Sequence, residues 1–419
     1  MKFASSTVGR LRRLRTATPW TVAVAALVSV SVVGSGVAMT RTHHRAAAVT
    51  PPPTPTETVV PPTSTSVPIQ PTRVAPKRKS PPHPAPHRRA PPPLNVYAAT
   101  LAGRLSPKVA HIPERVYVPN SGDGTVDVID PHTFRIVEHY AVGQIPHHIA
   151  PAWDLSRLYV DNEQSSTLTV IDPRSGRPTG SIAVPFPYNL YFTPDGSKAI
   201  VVVERLSRLD FRNPHTWALI SSVTVPWPGV DHLDFSPDGR YLLASTEWSG
   251  EVVKIDTRSM KITGEVDVGG LPIDVRLTPN GSLFYVANQG RNGVSIVDPV
   301  AMKEVGFIPT GQGAHGLWLS RDTKRLYVSN RLAGTISVIR LATRRVVATW
   351  NIGGSPDMMQ LSPDGSQLWV AERYDSRVDV IDTHTGRVIH TIAVGQGPHG
   401  LTYFPNAGRV SLGHNGIYR

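Results

Sequence analysis

The sequence predicts an all-β fold: a seven-bladed β-propeller of four-stranded antiparallel blades over residues 111–419, preceded by one N-terminal transmembrane helix and a disordered Pro-rich stalk. Three observations predict it. A strand-like block recurs every 41 to 43 residues through the last three quarters of the chain. Each interval holds four short runs separated by turn residues. Ahead of them lie an uncharged apolar run and then a segment dominated by proline.

The recurring block reads Val116-Tyr117-Val118-Pro119-Asn120, then Leu158-Tyr159-Val160-Asp161-Asn162, Phe284-Tyr285-Val286-Ala287-Asn288, Leu326-Tyr327-Val328-Ser329-Asn330 and Leu368-Trp369-Val370-Ala371-Glu372. Residues 199–203 and 241–245 are looser copies. Equivalent positions 120, 162, 203, 245, 288, 330, 372 and 414 mark seven full periods. A second run follows each block, as in Thr125 to Asp130 or Arg377 to Asp382, with apolar residues at every second position. That alternation is the pattern of a half-buried strand. Asp130-Pro131, Asp172-Pro173 and Asp382-Thr383 then turn the chain. A third run (Val388 to Val394 in the last repeat) and a Gly/Pro loop lead to the fourth, such as Leu190 to Thr193. The fourth run ends in Pro194-Asp195-Gly196, Pro237-Asp238-Gly239, Pro279-Asn280-Gly281 or Pro363-Asp364-Gly365, which are tight-turn sequences. Four short strands per period match a propeller blade, and a single blade buries neither of its faces, so seven must stack around an axis.

Closure follows from counting. Inner runs begin near 147, 188, 231, 273, 315, 357 and 399; the first repeat lacks one and the last supplies a spare, Gly400 to Phe404. That run is expected to join residues 116–142 in one blade and so remove the open edge. Residues 409–413 then read as a surplus second strand.

The Tyr-Val-x-Asn block, the Val-x-Val-Ile-Asp strand and the Ser-Pro-Asp-Gly turn resemble the YVTN-repeat family of β-propellers over residues 115–419. The resemblance implies a propeller of the surface-layer, periplasmic or lactonase-like kind. It is specific for fold and weak for function, because that family spans binders, surface proteins and enzymes. The repeat at 198–240 departs most, with Val203 where Asn is usual and Arg208-Leu209-Asp210-Phe211 in the second run.

Charge separates the chain into two materials. Residues 1–110 hold 15 Lys+Arg and one acid, Glu57, while residues 111–419 carry a net charge of −2. A nucleic-acid partner is therefore not expected for the propeller. The 25 residues from Thr16 to Thr40 carry no charge and follow a basic segment, residues 1–15. The run is long enough to cross a bilayer, and its flanking charge keeps the N-terminus in the cytoplasm. A signal anchor at 16–40 is the expectation; a cleaved signal peptide, ending near Gly36-Val37-Ala38, is the alternative. Either places the propeller on the extracytoplasmic side, membrane-held or secreted. Residues 41–110 read as a disordered stalk, with the prolines concentrated in 51–93. With no Cys in the chain, disulfides, thiolate metal sites and cysteine nucleophiles are excluded.

Candidate chemistry sits where each inner strand enters the channel. Two adjacent columns read His147, Tyr188, Asp231, Ile273, His315, Asp357, His399 and His148, Asn189, His232, Asp274, Gly316, Met358, Gly400. A second ring comes from the ends of the second strands: Ser121, Glu163, Glu204, Thr246, Gln289, Arg331 and Arg373, with Glu247 and Glu372 adjacent. The expected ligand-binding set is His147, His148, Asn189, Asp231, His232, Asp274, His315, Asp357, His399, Glu163, Glu204, Arg331 and Arg373. Imidazoles and carboxylates ligate divalent metals, and Asp231, His232 and His315 are the candidate ligands if a metal is present; no resident cofactor is expected otherwise. The same groups act as acid and base near neutral pH. Gly311 to Gly316 and Gly395 to Gly400 match a dinucleotide motif literally, but neither opens a helix after a parallel strand, so they read as turns. The expectation is a non-catalytic recognition scaffold for a cell-surface polymer, small ligand or protein partner. A lactonase-like or metal-dependent hydrolase and a structural surface-layer component are the alternatives.

Overall fold

The computed structural model describes residues 94–414 and 416–419. The expected membrane segment at 16–40 and the Pro-rich run at 51–93 lie outside the described residues. Among the described residues no helix is long and apolar enough to cross a membrane.

The described strands form seven four-stranded sheets, one per blade. Six are consecutive in sequence: β4 (Pro146–Pro151) to β7 (Arg177–Ala183), β8 (Asn189–Phe192) to β11 (Leu219–Thr224), β12 (Val230–Phe235) to β15 (Lys261–Asp267), β16 (Pro272–Leu277) to β19 (Lys303–Pro309), β20 (Ala314–Leu319) to β23 (Arg345–Asn351) and β24 (Pro356–Leu361) to β27 (Val388–Ala393). The remaining sheet, the first blade in chain order, joins β1 (Arg115–Asn120), β2 (Thr125–Asp130) and β3 (Arg135–Ala141) to β28 (Thr402–Phe404). β28 runs antiparallel to β1 with Tyr403 opposite Val116, so the ring closes through the spare inner run as the count required. Inner strands such as β12 and β16 are buried throughout, whereas outer strands such as β15 alternate exposed and half-buried residues.

The repeat residues form this architecture for local reasons. The Asn that ends the second strand reaches across to the third: Asn120 Nδ2 donates to Thr125 Oγ1 at 3.0 Å and Asp127 Oδ2 at 2.9 Å, and Asn330 Nδ2 donates to Thr335 and Ser337 at 2.9 and 3.0 Å. This bond fixes the hairpin register and accounts for the Asn-x₄-Thr-x-polar spacing. In the Pro-Asp-Gly turn, Ser236 Oγ donates to Asp238 Oδ1 at 2.8 Å and Gly239 adopts φ +69°. The departing repeat still makes a blade. There a 3₁₀ turn, Glu204–Leu206, connects β9 (Ala199–Val203) to β10 (Arg208–Arg212), and buried Asp210 pairs with Arg208 at 2.9 Å and Arg212 at 3.2 Å.

Two expectations are corrected. The disordered stalk does not extend to residue 110. Val96 N donates to Pro279 O at 2.9 Å and Gly103 N to Pro363 O at 3.0 Å, while Tyr97, Val109 and Ile112 are buried against the blades. The apolar side chains in this stretch bury against the propeller surface. Nor do residues 409–413 form a surplus second strand. β1 already occupies that place, so the tail enters the channel and lies on the free edge of β8. Phe192 N donates to Leu412 O at 2.9 Å and His414 N to Leu190 O at 2.8 Å. Gly413 adopts φ +91°, and a Cβ there would stand 2.1 Å from Leu190 O, so only glycine passes this point. Arg419 ends the tail by donating to Asp234 Oδ1 at 2.6 Å.

Deleting residues 395–419 is expected to give an insoluble or strongly destabilised product, because both β28 and the tail are lost; a soluble truncation with native circular dichroism would refute the closure. Gly413→Ala is expected to lower stability by roughly 2–4 kcal/mol through backbone strain and displacement of the tail. An unchanged denaturation midpoint would refute the placement of the tail.

Candidate functional site

The inner strands carry a shared irregularity that builds the site. In β4 the register slips between Pro146 and Ile149, and the same slip recurs in β12, β16, β20 and β24. A bulge places two consecutive residues on the axis where a regular strand would place one. This is why the two sequence columns both reach the channel. Side chains on the preceding blade secure the bulges: Ser329 Oγ donates to Asp357 O at 2.6 Å, and Leu317 N donates to Asp274 Oδ2 at 2.8 Å.

Twelve of the thirteen candidate residues fall into three connected groups around the axis, and Glu204 stands outside them, within the electrostatic reach of Asp231. In the first, His147 Nε2 lies 3.0 Å from Glu163 Oε2, its Nδ1 lies 3.1 Å from His399 Nδ1, and Arg205 donates to Glu163 at 2.7 Å. In the second, Asp357 pairs with His315 and Arg331 at 2.7 Å each, and with Arg373 and His399 at 3.7 Å each. In the third, the rings of His148, His232 and His414 meet with centroids 4.5 to 5.3 Å apart. Asp231 stands 2.7 Å from His232 Nδ1, Asp274 lies 3.5 Å from His414 Nε2, and Asn189 Nδ2 is 2.9 Å from His414 Nδ1.

The expected metal trio is divided by this arrangement. His232 groups with His148 and His414, while His315 groups with Asp357 and His399; within each group the candidate ligand atoms lie within 4.8 Å of one another. Asp231 supports His232 from its other ring nitrogen. The division follows the two columns: His148 and His232 stand in the second, whereas His315, Asp357 and His399 stand in the first.

Burial sets the electrostatics. It lowers His315 to about 4, with Arg331 adding to the effect, and pushes His399 well below the usual imidazole range, with Arg373 adding there. Both rings are therefore neutral near pH 7. Burial also lowers His414 to about 4, assisted by His232 and opposed by Asp274. His232 rises instead, because Asp231 outweighs the burial that opposes it. Burial works against the Asp357 carboxylate, yet Arg331, His315 and Arg373 hold it well below the usual range. On the opposite side the carboxylates move up. Burial, then Asp231, Glu247 and Glu163, push Glu204 to about 9, and burial with Asp231 pushes Glu247 to about 7.

One functional residue escaped the sequence reading, and another was placed only beside the ring. The ring residue of the fourth blade is Glu247, not Thr246, because Thr246 pairs with Glu251 as Asn288 pairs with Gly293. The unequal spacings on either side of position 245 were the available signal. His414 was read as the eighth copy of the strand-ending Asn. No strand follows it, and that was the clue that it serves elsewhere.

The comparisons agree with this fold. Residues 95–409 match the family model of the YNCE-like beta-propeller. A functionally unknown protein from Desulfotomaculum acetoxidans is similar at 19% identity with a TM-score of 0.61, over 69% of this chain and 98% of that one. A candidate 6-phosphogluconolactonase from Bacteroides uniformis is similar at 17% identity with a TM-score of 0.59, over 70% and 99% of the two chains. The dihydro-heme d1 dehydrogenase NirN is similar at 16% identity with a TM-score of 0.55, over 75% and 83%. At these identities the likeness is one of fold. No curated relative matches the sequence. The family model spans the blades from the buried segment before β1 to the residues after β28, and the chain belongs to the YNCE-like beta-propeller family.

Proposed function

We propose that the chain is an extracytoplasmic recognition propeller that takes the cationic group of a ligand at its axial mouth. The basic segment and apolar run at the N-terminus support the location. Glu204 carries the rest. It is only 9% exposed, and burial together with Asp231, Glu247 and Glu163 outweighs the nearby Arg205. An ionised group left this way destabilises the fold, and a bound ammonium would relieve it. Trp248, 56% exposed and next to Glu247, offers a ring face to such a cation. Arg331 and Arg373, on the other side of the mouth, would meet an anionic group of the same ligand. The hydrolase alternative has less support, because the imidazoles that would activate water are sealed: His148, His232, His315 and His399 are at most 3% exposed.

The test is calorimetric titration of the full-length chain with lysine and n-butylammonium at constant ionic strength. Saturable binding is expected, at least about tenfold weaker after Glu204→Gln, a loss of roughly 1.4 kcal/mol. No saturation with either probe, or equal affinity in the variant, would end this reading.

A pH dependence follows from the same carboxylates. Glu204 and Glu247 rise from 4.5 to about 9 and about 7 on folding, so the native state favours their protonated forms. Their stabilising contribution is complete below about pH 4.5 and is lost as pH rises through about 7 and then about 9. The groups facing them are Asp231, Glu163, Arg205, Arg331, His232 and Asp357. Thermal melts of the ligand-free chain are expected to fall from about pH 5 to about pH 9 by several degrees more than those of the Glu204→Gln/Glu247→Gln double variant. Parallel curves would mean that neither carboxylate carries the shift.

A further inference from the structure

The three imidazoles of the third group have no part in the cation-binding reading, which shares only Asp231 with them, and they stand on their own geometry. We propose that His148, His232 and His414 bind one divalent transition-metal ion of imidazole preference, such as Zn²⁺, and that the C-terminal tail supplies the closing ligand.

The three rings come from separate parts of the chain: β4, β12 and the tail. They are 0%, 0% and 1% exposed, and their candidate ligand nitrogens lie within 4.8 Å of one another. Three nitrogens on one zinc ion sit about 3.4 Å apart, so the rings need only a small inward turn to share an ion. His232 already has the arrangement of a metal ligand. Its Nδ1 lies at ion-pair distance, 2.7 Å, from the Asp231 carboxylate, while its buried Nε2 makes no hydrogen bond among the described residues. A carboxylate behind a ligating imidazole fixes its orientation and raises its donor strength. Asn189, its Oδ1 fixed by Leu190 N, donates from Nδ2 to His414 Nδ1 at 2.9 Å, so His414 presents Nε2 to the ion, with the Asp274 carboxylate 3.5 Å from that nitrogen.

Local charge favours this group over its neighbour. Around the three imidazoles stand two carboxylates, Asp231 and Asp274, and one guanidinium, Arg276, which lies 3.6 Å from Asp274. The group of His315, Asp357 and His399 already holds cations: Arg331 donates to both His315 and Asp357, and Arg373 lies 3.7 Å from Asp357. A guanidinium there neutralises the one carboxylate that would attract an ion. Imidazole donors without thiolates suit Zn²⁺, Cu²⁺ and Ni²⁺ rather than Mg²⁺ or Ca²⁺, which require oxygen.

The tail gives the site a structural consequence. His414 follows Gly413, whose left-handed backbone lets the chain lie against Leu190 and Tyr191. An ion held by His414 ties the tail to two blades and thereby secures the ring closure.

The test uses the full-length chain after chelation and dialysis. Zn²⁺ is titrated by calorimetry, bound metal per chain is counted by mass spectrometry, and thermal melts are recorded with and without the ion. One Zn²⁺ per chain is expected, with a raised melting temperature, and with affinity at least about 100-fold lower in His414→Ala and in His232→Ala. Asp231→Asn, which preserves shape, is expected to weaken binding about 10-fold or more. Circular dichroism of each variant separates loss of ligand from loss of fold. No bound ion in the wild-type chain would overturn the proposal. So would binding that survives His414→Ala in a folded protein, or that is abolished by His315→Ala instead.

Discussion

The ring stands or falls on one pairing, that of Thr402–Phe404 with Arg115–Tyr117. A blade has two apolar faces and gains stability only when neighbours cover both. Seven blades in a row would leave two exposed faces and an unpaired edge at the seam. Three residues from the C-terminal end close that seam. The apolar contact across it, with Tyr403, Leu401, Val116, Val118 and Trp369 in one buried cluster, then matches the contact between any other two blades. The channel and its side chains have fixed positions only because this closure holds the ring at seven.

Closure also explains why the chain continues past its last blade. The inner strands present free backbone edges to the axis, and a wide polar channel would leave them to water. The tail covers the edge of β8, and Arg419 pairs with Asp234 on β12. On the same molecule Tyr97, from the segment before the first blade, donates to Leu277 O at 3.0 Å. Both ends of the described chain are thus used to seal the ring, and the axial imidazoles are dry as a result. That dryness keeps His315 and His399 neutral and raises Glu204.

The axial mouth is consequently a place of unequal charge. On the side of the third and fourth blades, Glu204, Asp231 and Glu247 crowd together, and Arg205 and His232 relieve them only in part. On the side of the sixth and seventh, Arg331 and Arg373 surround a single carboxylate, Asp357. A symmetric repeat would have produced a ring of identical groups. Divergence of individual copies at two positions per blade has produced a polarised one, which is the kind of surface that orients a ligand.

Much of this was legible in the residues. The period gave the number of blades, the Asn and Pro-Asp-Gly positions gave the hairpins, and the two adjacent columns named the side chains on the axis, because repeats place equivalent positions at equivalent depths. Blade number, strand order and the inventory of the mouth are therefore properties of the local sequence pattern. What the pattern does not carry is anything that breaks the repeat. The one-residue shift that puts Glu247 on the ring depends on a hairpin register that only cross-strand pairing settles. The partition of the histidines into two groups depends on distances across the axis, which no spacing along the chain encodes. The position of His414 was decided by the tertiary structure alone: with its strand place already filled by β1, the tail pairs with the axial edge of β8 instead.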